Sequence, residues 1–204
     1  GRSLDAIKNT LKINEIRNIG MYVWIWTALM TIQWITAINI VEEWSQNSEQ
    51  RLKFFATIEQ VISPLTLIVQ LFFTNLIIKR FGIKNIMFLY GILFCLAYFL
   101  YGLAPSIISV GIVTIILRVF EYGINKPTRE VVFSYLKKMD RYKSSVMFDT
   151  FLVRMGDFSG SGFVTLFSKT FGFAFFYIPL IAVPFAGFLA FLGLKIVPKE
   201  EISS

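Results

Sequence analysis

An all-α, integral membrane six-helix bundle is the architecture that this chain of 204 residues predicts, on three observations. Hydrophobic residues make up 55% of it and charged ones only 16%, whereas a soluble domain carries about a quarter charged residues. Apolar stretches recur at the length a bilayer demands, about 20 residues for a hydrocarbon core of about 30 Å. The Lys and Arg residues collect in alternate connections, the asymmetry that orients membrane proteins. Mean hydropathy is +0.64, in keeping with the first two.

The spans follow in order along residues 19–197. Ile19–Val41 holds Trp24, Trp26 and Trp34, with Trp44 beyond its end as an interfacial anchor. Asn47-Ser48-Glu49 signals a turn within the Glu42–Lys53 connection, after which Phe54–Ile78 is the second span. The third, Ile86–Leu103, ends at Ala104-Pro105-Ser106, a second turn signal, and Ile107–Ile124 follows. A longer polar connection, Asn125–Ser145, separates it from Val146–Phe167 and Phe173–Val197. Pro64, Pro179 and Pro184 fall inside spans, where membrane helices tolerate proline.

Of the 20 Lys and Arg residues, only Arg51, Lys53 and Lys169 fall on one side and Arg118 and Arg154 within spans. All the others lie on the opposite side, so both termini are expected to be cytoplasmic and Glu42–Glu49 external. The net charge of +7 is thus a topology signal, and no nucleic-acid partner is expected; the partner is the lipid bilayer. Cys95 is the single cysteine, which excludes an intrachain disulfide, and the chain has no histidine. His-based catalysis and His-ligated metal sites are therefore excluded, and neither an enzyme nor a cofactor or metal is expected. The chain starts at Gly1 without a signal-peptide pattern and is expected to be a fragment.

Charge inside the spans points to function. Arg118 and Glu121 share a helix face at a spacing of three, and Arg154 and Asp157 repeat it, with Asp149 nearer the cytoplasmic end. Each such residue costs about 2.5–3.5 kcal/mol even on the mildest insertion scale. Rise per residue puts Arg118 about 18 Å from the external edge and Arg154 about 15 Å from the cytoplasmic one. Both are then near the middle, with Glu121, Asp149 and Asp157 as carboxylate neighbours. Two readings stay open: a neutralised network that fixes helix packing, or an arginine facing a cavity and binding an anionic substrate. Gln60, Gln70 and Asn75 of the second span could join helices or line the same path, and Glu59 lies near the interface.

Gly156 and Gly160 form G-x-x-x-G, and with Gly162 they would let the fifth span approach a neighbour closely. The loop after Ile124 carries Lys126-Pro127-Thr128-Arg129-Glu130, with Val131–Leu136 apolar enough for a short interfacial helix after the proline.

Two stretches carry a resemblance. Lys79-Arg80-Phe81-Gly82-Ile83-Lys84 looks like the C-half copy of the major facilitator signature loop. Asn125-Lys126-Pro127-Thr128-Arg129-Glu130, then Tyr142-Lys143, Asp149-Thr150 and Arg154-Met155-Gly156-Asp157, resembles the bacterial ATP/ADP-translocase-like branch of that superfamily. Phe54-Phe55-Ala56 and Gln70-Leu71-Phe72 are similar to the same branch. The resemblance implies one half of a twelve-helix major facilitator fold, the C-terminal half, in a bacterial inner membrane. Residues 1–18 would then end the central cytoplasmic loop, 198–204 would be a cytoplasmic tail, and the N-terminal six-helix half would be a partner. It implies a secondary carrier moving an anionic solute by alternating access, ATP or ADP included. Arg118 and Arg154 would bind the anion, and Glu121, Asp149 and Asp157 would form the coupled network. Lys126, Arg129, Glu130 and Arg80 would form a cytoplasmic gate. The rival expectations are a non-transporting scaffold or sensor module and a membrane-embedded enzyme.

Overall fold

The computed structural model describes residues 14–134 and 148–196, with the side chains of 14–16, 133 and 149 outside that description. The expected loop end over 1–13, the connection over 135–147 and the tail 198–204 lie outside the described residues. Those described are helical apart from short turns, and there is no strand among them. Helix α1 spans Asn14–Trp44, α2 Ser48–Ile68, α3 Thr74–Leu103, α4 Ile107–Phe120, α5 Lys126–Ser134, α6 Val153–Thr165 and α7 Ile178–Lys195. Wide π turns, Val69–Phe73 and Glu121–Asn125, join α2 to α3 and α4 to α5, and two more, Phe148–Leu152 and Leu166–Thr170, flank α6.

Four helical stretches among these are long and apolar enough to cross a membrane: Arg17–Trp44, Ser48–Leu103, Ile107–Val132 and Ile178–Lys195. The second has 56 residues, about 84 Å if straight, far more than one bilayer core. It turns back at Gly82, whose φ of 73° and ψ of 159° belong to a region only glycine occupies readily. Side-chain partners reveal the reversal. Before Gly82, numbers rise together, Glu59 meeting Arg118 and Thr74 meeting Gly123; beyond it they run oppositely, Tyr90 reaching Leu117 while Tyr101 and Thr114 share Gln33. Local capping sets the other turns. Asn47 accepts the backbone N–H of Glu49, and Ser106 with Ser109 closes a reciprocal capping box before α4.

The expected fifth span is helical over the described residues from Phe148 but is not one of the four apolar stretches. Arg154, Asp157, two serines and three glycines dilute its hydropathy. The expected sixth span starts later than Phe173, at Ile178, because Pro179 sits in the first turn, where its missing N–H costs nothing.

The fourth span also differs from expectation. Instead of ending at Ile124, the helix continues across Pro127 to Ser134. Proline cannot donate to the carbonyl four residues back, which is Gly123, and that oxygen accepts the Thr74 hydroxyl at 2.6 Å. In the π turn the Lys126 N–H reaches Glu121 rather than Tyr122, and the freed Tyr122 carbonyl accepts Gln70 Nε2 at 2.9 Å. Two side chains of the neighbouring helical stretch thus replace the bonds that Pro127 and the wide turn remove.

Packing centres on α1, α3 and α7. Tyr22, Tyr90, Tyr98, Tyr101 and Phe94 are fully buried, and each tyrosine hydroxyl has a partner: Tyr98, for example, donates to the Leu29 carbonyl at 2.6 Å. Helices α3 and α7 approach until a Cβ on Gly91 would overlap Ala190 and one on Gly193 would overlap the Met87 backbone. Outward faces are apolar, with Leu71, Phe72 and Phe158 about two-thirds exposed or more (67%, 69% and 76%). A water-facing surface rarely presents so continuous a patch.

Candidate functional site

Two polar constellations meet where α4 passes into α5. The first opens onto a cavity of ≈ 420 Å³ lined by Thr31, Gln33, Trp34, Arg118, Tyr122 and Asp157, together with Met30. Helix α1 supplies Thr31, Gln33 and Trp34 from one stretch, α4 supplies Arg118, and α6 supplies Asp157. Arg118 is ion-paired with Glu59 of α2 and lies 5.8 Å from the centre of the Tyr122 ring. Asp157 accepts the Thr31 hydroxyl at 2.9 Å on one oxygen, and its other oxygen lies 3.8 Å from Arg154. Gln33 is buried at the cavity wall and donates both amide hydrogens, to Tyr101 at 2.9 Å and Thr114 at 3.2 Å.

The second constellation is buried. Glu121 accepts from Arg129 Nη2 at 2.7 Å on one oxygen and from Asn125 Nδ2 at 2.6 Å on the other. Asn125 Oδ1 lies 3.1 Å from the Tyr22 hydroxyl, which is equally near the Met87 carbonyl. The Arg129 guanidinium also lies 4.3 Å over the Trp26 ring, a cation–π contact worth about 2 kcal/mol when desolvated. Trp26 in turn donates to the Tyr90 hydroxyl at 2.9 Å. Arg129 Nη1 is buried without a hydrogen-bond partner among the described residues.

The π turn explains this pairing. Eight residues of regular helix overshoot two turns by about 80°, which would aim Arg129 away from Glu121. The extra residue absorbed by Glu121–Asn125 removes most of that offset and brings both onto one face.

These geometries correct several expectations. Glu121 pairs with Arg129 and Arg118 with Glu59, so the expected Arg118–Glu121 pair is not formed. Arg129 is only 8% exposed and belongs to the buried network, apart from Lys126, Glu130 and Arg80, which are exposed. Arg154 does not line the cavity; its side chain is 84% exposed. Asp149 falls in the π turn Phe148–Leu152, its side chain outside the described residues. Gly156 and Gly160 press against α1 at Thr27 and Ala28, whereas Gly162 meets nothing within 4 Å because it faces the outer side of α6.

Glu59, Gln33, Tyr22, Trp26, Tyr90 and Asn125 join these constellations without being site candidates on the sequence. The i, i+4, i+8 series Glu121, Asn125, Arg129 was the one local signal for the network. Tyr22 and Trp26, four apart on α1, gave none that distinguishes them from core aromatics. No protein-family model, no curated protein and no solved structure matches this chain.

Proposed function

We propose that the chain is the C-terminal six-helix half of a twelve-helix secondary carrier of major facilitator type, moving an anionic solute across a membrane by alternating access. The observation that carries this reading is the cavity in which Arg118, Gln33 and Asp157 converge from three helices. A half-buried cation, open to a cavity of this size among membrane-length helices, has the chemistry of an anion contact. Glu59 neutralises Arg118 when no solute is present, and an incoming anion takes its place. Arg118 is therefore the anion contact of this proposal, and Arg154 is not. The buried Glu121–Arg129 pair anchors the turn that carries Tyr122 and follows Arg118 on the same helical stretch.

The resemblance to the ATP/ADP-translocase-like branch makes nucleotides the first solutes to try, in a bacterial inner membrane with both termini cytoplasmic. The test is counterflow of labelled ATP and ADP by the full-length protein in proteoliposomes. Arg118→Ala is expected to abolish exchange while insertion and folding are retained, and Arg154→Ala to leave most of it. Equal exchange by wild type and Arg118→Ala would remove Arg118 from the transport path.

A further inference from the structure

Resting on that reading of the cavity, we infer that its solute is a zwitterion, carrying a cationic group as well as the anionic one. The cavity is lined by charges of both signs, Arg118 and Asp157. Arg118 is its cationic group, with Glu59 as the carboxylate to be displaced. Its other lining residues include the carboxylate of Asp157 and the aromatic rings of Trp34 and Tyr122, which suit a cation. Asp157 is fixed in orientation by the Thr31 hydroxyl at 2.9 Å, and its second oxygen has only Arg154, at 3.8 Å. That distance exceeds a hydrogen bond, so this oxygen keeps its capacity to accept. Trp34, 40% exposed, presents an indole to the same space, and indole faces attract ammonium groups.

A solute bearing only an anion would satisfy Arg118 and leave the free accepting capacity of Asp157, ion-paired only with the exposed Arg154 at 3.8 Å, unused. A solute bearing only a cation would meet the reverse. A carboxylate and an ammonium on one small molecule satisfy both charged groups, the carboxylate replacing Glu59 on Arg118 and the ammonium donating to Asp157. No bond is made or broken; the recognition is charge-assisted hydrogen bonding at two groups of one cavity.

Three probes of nearly the same shape separate the possibilities in counterflow by the full-length protein: labelled leucine, 4-methylpentanoate, which lacks the ammonium, and 3-methylbutylamine, which lacks the carboxylate. Leucine is expected to move faster than either by about ten-fold or more, the scale of one charge-assisted hydrogen bond. Asp157→Asn is expected to lower the ratio of leucine to 4-methylpentanoate movement by a similar factor. If the two acids move equally in the wild type, the zwitterion proposal falls and the anion carrier stands. If Asp157→Asn slows both alike, Asp157 is structural and the proposal falls. Nucleotide exchange without movement of leucine also overturns it, and if no probe and no nucleotide moves, both readings fall together.

Discussion

At the scale of single residues, Glu121 is the position where one side chain matters most. Its two oxygens hold Arg129 and Asn125, and the ring of Trp26 covers the guanidinium, so the pair is largely removed from solvent. Removing one member of a buried pair leaves a charge without compensation, at a cost of about 3–5 kcal/mol. Glu121→Leu is therefore expected to lower the unfolding temperature in detergent markedly, while Glu121→Leu combined with Arg129→Met recovers most of the loss. A double variant as unstable as the single one would show that shape and the Asn125 bond, rather than charge, hold this site. The sequence made Glu121 conspicuous as a charge in an apolar run, but it named the wrong partner. Arg118 is nearer in sequence; Arg129 is nearer in space because the intervening turn is wide.

Among elements, the π turns are the features that decide where site residues point. The turn at Glu121–Asn125 survives because Thr74 and Gln70 bond to the carbonyls that Pro127 and the wide turn leave free. Thr74→Val keeps the volume and deletes the donor, so a buried carbonyl is left unpaired at a cost of about 1–3 kcal/mol. Pro127→Ala restores an N–H for that carbonyl, and the cost of Thr74→Val is expected to shrink in its background. A double-mutant cycle by thermal melting measures this; strict additivity would mean that Thr74 does not serve the proline. The α1–α6 approach offers a second element-scale contrast. Gly160→Leu drives a side chain into Ala28 and Thr31, whereas Gly162→Leu enters open space. The former is expected to destabilise by about 1–3 kcal/mol or more, and the latter to leave the melting temperature almost unchanged.

For the whole molecule, the reversal at Gly82 determines which connections share a side. With the chain turning at Ser45–Asn47, Gly82 and Ala104–Ser106 in succession, the first and third turns lie together and opposite the second. In the proposed topology, the basic cluster Lys79-Arg80 beside Gly82 lies on the cytoplasmic side. In a Cys95→Ser background, single cysteines at Gln46 and Ser106 are expected to react with an impermeant maleimide added outside, and one at Lys79 only after permeabilisation. Labelling of all three from one side would break the proposed topology.

What the sequence by itself determined is the helical class, the recurrence of membrane-length apolar stretches and the positions of most turns. These follow from burial of apolar length, from capping residues such as Asn47 and Ser106, and from glycine at position 82, all of which act within a few residues along the chain. It also marked Arg118, Glu121, Arg154 and Asp157 as unusual, because charge in an apolar stretch is costly wherever it ends up. Only the tertiary structure decided which of these charges meet. Glu59 reaches Arg118 across 59 positions and Thr31 reaches Asp157 across 126, so their pairing depends on how helices pack rather than on local spacing. The same packing turns Asp157 toward α1 and leaves Arg154, three residues away on the same helix, facing outward. A helix periodicity shows which residues share a face; the neighbour that the face meets is chosen by close approach, here at Gly156 and Gly160, and no local pattern contains it.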